Sequence, residues 1–294
     1  MAQKRVTFGG TALPVLLLAP QFAITAIFFF WPAIQAVRQS MHRSDAFGFG
    51  ERFVGWDNFT ALFRSARYWE SVQVTAIFAA SVAIITLCVS LSFASAVDRM
   101  IRSRTTYSTL LIWPYAVAPA VAGVLWWFLF NPSVGILAYT LRGFGISWNH
   151  FTNGNQALLL TIIAASWAQV SYNFIFFLAG LQSIPRSLIE AAAIDGAGPT
   201  KRFFTITLPM LSPTIFFLSV VNMVYAFFDT FGIIDTTTEG GPGRQTTTLV
   251  YQAYTDGFLG QNFGSSAAQS VVLTLVVILL TVVQFRFVER RVHY

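Results

Sequence analysis

Seven polar side chains recur at helical spacing inside two apolar stretches of this 294-residue chain. Ser166, Gln169, Tyr172 and Asn173 follow at three- and four-residue steps in one stretch, and Asn222, Tyr225 and Asp229 do so in another. Such steps put side chains on one face of a helix. Hydroxyls, amides and a carboxylate in a line offer hydrogen bonds to a hydroxylated solute, so both stripes read as the lining of a translocation path. Asn and Gln also fasten apolar helices to one another, and that reading explains the same pattern. No nucleophile stands beside a general base here, so no catalytic residue is expected. His42, His150 and His293 fall on three separate segments, each expected at the surface, and no metal site is expected.

The elements carrying these stripes must suit lipid. Hydrophobic residues make up 55% of the chain and charged ones only 10%, against about 25% charged in a soluble domain. Phe, Trp and Tyr reach 16%, as aromatic belts at a bilayer surface require. Trp126 and Trp127 fit such a belt better than a solute contact. The net charge of +6 is spread along the chain rather than interleaved with aromatics in one patch, so no nucleic-acid partner is expected. Cys88, the one cysteine, lies in an apolar run and reads as a buried or lipid-facing small residue.

A helix needs about 20 apolar residues to cross the hydrocarbon layer. Six stretches meet that length, roughly 13–34, 72–96, 109–130, 157–182, 209–231 and 267–287, each read as one continuous span. The first is an anchor rather than a signal peptide, being too long and lacking a cleavage site. Lys and Arg then set the orientation. With the amino terminus inside, inner segments hold Lys4, Arg5, Arg99, Arg102, Arg104, Arg186, Lys201, Arg202, Arg286, Arg290 and Arg291. Outer segments hold Arg38, Arg43, Arg52, Arg64, Arg67, Arg142 and Arg244. That is 11 against 7, five of the seven in one long loop, and both termini are expected in the cytoplasm. Asp229 then falls about two residues inside the outer end of the fifth span, at the mouth of the path. The division expected is an anchor helix with an outer segment (1–71), a transmembrane core (72–288) and a cytoplasmic tail (289–294).

One inner connection stands out. Residues 183–209 read SIPRSLIEAAAIDGAGPTKRFFTITLP between two apolar helices. Pro185 suits a helix start, and Ser187 with Glu190 three residues on matches a capping box. Ala191, Ala192 and Ala193 favour helix, Gly196 can end it in the left-handed conformation, and Pro199 opens a second short helix. Leu188, Ala191 and Ala192 form a small apolar face suited to a groove on another protein.

Glu190-Ala191-Ala192, then Asp195-Gly196-Ala197 and Ile206-Thr207-Leu208-Pro209, closely resemble the EAA signature of binding-protein-dependent ABC importer permeases. FVGWDNFTALF (53–63) and GGPGRQTTTLVYQAY (240–254) resemble outer segments of the carbohydrate-type members. LLIWPYAVAPAVAGVLWWFLFNP, YNFIFFLAGLQSIPRSLIEAAAIDGAGP, VYAFFDTF and VVQFRFVERRVHY resemble the A-type permeases of sn-glycerol-3-phosphate importers. The resemblance implies an all-α membrane protein of six spans with the type I importer fold. It implies that Glu190, Ala191, Ala192, Asp195, Gly196 and Pro209 belong to a loop coupling the chain to an ATPase. The implied partners are a homologous second permease, two copies of an ABC ATPase, a periplasmic solute-binding protein and the lipid bilayer.

No phosphate-cradling G-x-x-x-x-G-K-[ST] loop occurs in the sequence, so ATP and Mg are expected in the separate ATPase chains and no cofactor in this one. A membrane enzyme would need His, Asp or Cys gathered at one depth. A secondary transporter would need paired broken helices and buried ionisable groups. The solute implied is sn-glycerol-3-phosphate, with glycerophosphodiesters beside it. An uncharged sugar or polyol is the alternative, since no Lys or Arg lies within the six stretches as bounded apart from Arg286 at the last one's end, and Asp229 repels an anion.

Overall fold

The computed structural model describes residues 12–44, 50–99 and 104–288. Lys4, Arg5, Arg102, Arg290, Arg291, His293 and the expected tail lie outside the described residues. Packing divides the chain into two compact units, Met1–Arg64 with Thr255–Val272, and Ser65–Tyr254 with Leu273–Tyr294.

In the first unit, helix α1 (Leu13–Ser40) has 28 residues, about 42 Å at 1.5 Å per residue and ample to cross a bilayer. A π-helical turn, Ala26–Phe30, interrupts its regular winding, and its apolar side chains stand exposed all round. Strand β1 (His42–Ser44) pairs antiparallel with β2 (Glu51–Phe53), and α2 (Asp57–Arg64) follows. Asn58 binds this segment together: its Nδ2 donates to the carbonyls of Ser40, 2.8 Å, and His42, 2.9 Å.

The second unit begins with α3 (Ala66–Asp98), α4 (Thr105–Ala116) and α5 (Pro119–Leu129), and α6 (Ile136–Gly143). Then come α7 (Gly154–Ser183), α8 (Arg186–Ile194), α9 (Pro199–Met210) and α10 (Ser212–Phe228). Short helices α11 (Phe231–Thr237) and α12 (Leu249–Tyr254) follow, and the last span, α13 (Phe263–Arg286), belongs to the first unit up to Val272 and to the second from Leu273.

Two of the six stretches are not continuous. Between α4 and α5 the chain turns by 103°, and between α9 and α10 by 65°. Proline is the cause at the first break: Pro119 has no N–H to continue a helix and pushes Ala118 into extended conformation, ψ 142°. At the second, Pro213 stands at the first turn of α10. The broken backbone is tolerated where neighbouring protein supplies contacts.

The core lies where α3, α7 and α10 meet, around Ala94, Phe174, Phe177, Leu211 and Leu218. A second cluster gathers Phe130, Ala138, Trp148 and Leu160. Trp126 packs into this cluster, stacked on Phe130 and edge-on to Trp167, both with ring centroids 5.9 Å apart. It therefore braces α5 on α7. Trp127 is half-buried, edge-on to Phe151. His150 is buried, against the surface position expected of it. Its Nδ1 accepts from Trp148 Nε1 at 3.3 Å, and burial holds its pKa below the ordinary histidine value. Among the described residues no three His, Cys, Asp or Glu side chains gather.

Small residues let α5 and α11 approach closely, as helices in lipid do. A Cβ on Gly123 would strike Thr236 Oγ1 and come within 3.1 Å of the Ile233 carbonyl oxygen. Gly123→Ala should therefore cost about 1–3 kcal/mol by overpacking, lowering the thermal midpoint of the purified chain. Gly143→Ala, where a Cβ meets nothing within 4 Å, should leave the midpoint unmoved.

Candidate functional site

The connection between α7 and α10 is set by its own backbone chemistry. Pro185 is the N-cap of α8, so the helix starts at Arg186 and no side chain caps it. Ser187 consequently lies inside the first turn, and the capping box with Glu190 does not form. At the other end two bonds close the helix: Gly196 N–H donates to the Ala193 carbonyl, 3.1 Å, and Ala197 N–H to the Ala192 carbonyl, 2.9 Å. This is the Schellman pattern, and it requires the left-handed conformation of Gly196, φ +80°. Pro199 then opens α9, and Arg202 Nη1 donates to the Ile189 carbonyl, 3.3 Å, tying α9 to α8.

The loop so built presents its signature outward. Glu190, Ala191, Asp195, Gly196 and Pro209 are exposed, and Ala192 is half-buried. Leu188 is 44% exposed and Ile194 87%. Ile194 was not singled out in the sequence, although it continues the Leu188–Ala191 row at a three-residue step. This apolar row lies open on a helix of nine residues that its own end bonds and the Arg202 contact hold in shape.

The two polar stripes meet each other across α7 and α10. Asn173 and Asn222 are wholly buried and Gln169 nearly so. Asn222 Oδ1 accepts from Gln169 Nε2 at 3.1 Å and from Asn173 Nδ2 at 2.9 Å. Asn222 Nδ2 donates back to Asn173 Oδ1 at 2.9 Å. Asn173 Nδ2 also reaches the Gln169 carbonyl, 3.0 Å. These amides form a clasp. One turn further along α10, Tyr225 OH donates to the Ala165 carbonyl, 3.2 Å, extending the join. Ser166 is buried on the same side of α7, and its hydroxyl makes no hydrogen bond among the described residues.

Tyr172 stands apart from the clasp, half-buried, its ring 5.7 Å from Tyr115 of α4 and 4.8 Å from Phe176. Asp229 is not inside α10 but just beyond it. It is the C-cap residue, its N–H donating to the Tyr225 carbonyl at 2.9 Å, and its side chain is exposed. A carboxylate there faces the negative end of the helix dipole. Arrays of this kind position and hold; no group among the described residues is set to transfer a proton or attack a bond.

The profile of the family described as "Binding-protein-dependent transport system inner membrane component" matches residues 94–294. The chain is 59% identical over 291 residues, 99% of each chain, to the sn-glycerol-3-phosphate transport system permease protein UgpA of Rhizobium meliloti (strain 1021). It is 56% identical over 294 residues, 100% of each, to the protein of that name in Escherichia coli O157:H7. Its fold matches a chain of a bacterial alginate ABC transporter solved with an alginate pentasaccharide-bound periplasmic protein. The TM-score there is 0.82 at 20% identity, over 95% of this chain and 94% of that one.

The clasp makes a direct prediction. Asn173→Ala and Asn222→Ala should each lower thermal stability, and the double variant should lose less than the two losses added. A coupling of about 1 kcal/mol between them is expected from hydrogen bonds of this kind in membrane proteins. Strict additivity in a double-mutant cycle of the purified chain would contradict the mutual bonding.

Proposed function

The chain belongs to the family of binding-protein-dependent transport system inner membrane components, and from that premise we propose that it forms half of an sn-glycerol-3-phosphate path. The family makes it a multi-pass membrane permease subunit, not an enzyme. Identity of 56–59% along the full length to permeases of sn-glycerol-3-phosphate transport supports that solute. A homologous second permease would close the path, and a periplasmic binding protein would deliver the solute. Two copies of an ABC ATPase would supply the energy, with ATP and Mg held there.

The exposed loop helix α8 carries this reading. A helix ending in a left-handed glycine, with Leu188, Ala191 and Ile194 facing outward, is a preformed plug for a groove on another subunit. Glu190 and Asp195 flank that row and offer charge to the rim of such a groove. With the loop on the cytoplasmic side, Arg99, Arg186, Lys201 and Arg202 stand there too, which supports cytoplasmic termini under the positive-inside rule.

In the path itself, Ser166, Gln169, Asn173 and Asn222 form the stiff seam of the wall, while Tyr172 and Asp229 remain accessible to solute. Neither α7 nor α10 carries a Lys or Arg. The phosphate is therefore met by neutral donors or by the second permease, and Asp229 at the outer mouth accepts from hydroxyl groups. That same carboxylate favours an uncharged sugar or polyol as a second reading, distinguished by competition of each with labelled sn-glycerol-3-phosphate.

Gly196→Val tests the coupling role. A β-branched residue at φ +80° costs about 1–3 kcal/mol, which reduces the docking-competent loop by roughly fivefold to 150-fold. ATP-driven uptake of labelled sn-glycerol-3-phosphate should fall accordingly at normal membrane levels of the chain. Gly196→Asn, which tolerates the left-handed conformation better, should retain more. Equal uptake in wild type and Gly196→Val would refute the docking role. For the mouth, Asp229→Asn should tighten apparent affinity for the anionic solute at low salt, with the difference shrinking as salt screens the charge.

A further inference from the structure

Away from the polar stripes, the end of α3 borders open space. Two cavities adjoin there. The first, about 750 Å³, is walled by Arg99, Arg186 and Arg202 with Asp98 and Glu190 as its acids, so cationic groups exceed anionic ones by 3 to 2. The second, about 560 Å³, is an open groove lined by Cys88, Leu91, Ser92, Ala96, Phe203 and Phe204. Ser95, Arg99, Pro199 and Phe203 belong to both, so the cationic chamber leads straight into the apolar groove.

We propose that this continuous site holds one anionic phospholipid, its phosphate at Arg99 and Arg202 and an acyl chain along α3. Several observations converge on it. Residues 88, 91, 92, 95, 96 and 99 share one face of α3 by three- and four-residue steps. Ser92 Oγ donates to the Cys88 carbonyl at 2.7 Å, so its hydroxyl is satisfied within α3, whereas the buried Ser95 Oγ, where chamber and groove join, has no partner among the described residues and can donate to a headgroup oxygen. Cys88, Ser92 and Ala96 are exposed, leaving the groove open from outside. Arg99 is the first residue past the helix, at the level where hydrocarbon gives way to headgroups. Arg202 uses Nη1 on the Ile189 carbonyl, while its buried Nε has no acceptor among the described residues. A phosphodiester oxygen is the acceptor that a guanidinium takes best.

The start of α9 at Pro199, which borders both cavities, adds the positive end of a twelve-residue helix. Basic pockets between spans on the cytoplasmic side are where anionic headgroups bind. A free anion would use the chamber and leave the groove without purpose. The inference rests on α3 crossing the membrane and not on which solute is carried.

Native mass spectrometry of the full chain in mild detergent tests it, with equal amounts of phosphatidylglycerol and phosphatidylcholine bearing identical acyl chains. Wild type should retain phosphatidylglycerol preferentially. Arg99→Gln should cut that preference about fivefold, the worth of one basic side chain at an anionic surface. Ser92→Phe, which fills the groove without touching charge, should reduce retention of the lipid, and Arg43→Gln, away from both cavities, should change nothing. Equal retention of the two lipids would overturn the proposal, as would retention unaffected by both Arg99→Gln and Ser92→Phe. Displacement of phosphatidylglycerol by millimolar inorganic phosphate would assign the chamber to a free anion instead. None of these readings depends on uptake, so the transport account and the lipid site stand or fall separately.

Discussion

In hydrocarbon a polar group has no water to fall back on, and this constraint organises the chain. Backbone groups meet it by winding into helices. The amides of Gln169, Asn173 and Asn222 meet it by closing on one another, with distances of 2.9–3.1 Å. Because any shift of α10 along α7 would strand these donors and acceptors, the clasp fixes one register between the two helices. The loop joining them inherits that register, since α8 and α9 hang between the ends of α7 and α10.

A rigid pair with an exposed connector is a lever. If α8 docks on an ATPase as proposed, force applied there would reach the buried clasp through two helices whose relative position is held by hydrogen bonds as well as by apolar packing. The breaks at Ala118 and Leu211 fit the same design, as a bent span gives way at a defined point while its halves stay stiff. The 65° turn between α9 and α10 lies between the loop and the clasp, so movement at the loop has a hinge to act on.

Much of this was legible in the sequence, for reasons that also explain the rest. Apolar length reveals a span, and all six stretches coincide with helices. Hydropathy is blind to where the backbone bends, so stretches 109–130 and 209–231 read as continuous, although Pro119 was the local sign of the first break. Gly196 was readable because only one backbone conformation ends a helix in that way. The capping box failed because Pro185 starts the helix earlier than Ser187 permits. In the polar stripe, Tyr172 and Asn173 sit 100° apart on a helix. Spacing from Gln169 admits both, and only packing reveals that Asn173 turns to α10 and Tyr172 toward Tyr115. His150 carries no neighbouring pattern at all, and its burial follows from the Trp148–Phe130 cluster around it. The Arg99 chamber joins residues about 100 positions apart, a contact that no local pattern encodes.

We propose that the apolar row of α8 is buried by a separate ATPase subunit. Ile194, at 87% exposure in the chain itself, reports on this most directly. A spin label at position 194, in a chain with Cys88 replaced by Ser, should be mobile and water-accessible when the chain is purified alone. In the assembled transporter it should become immobilised and shielded from aqueous relaxation agents. Unchanged mobility and accessibility at position 194 on assembly would rule out burial of the α8 row by the ATPase.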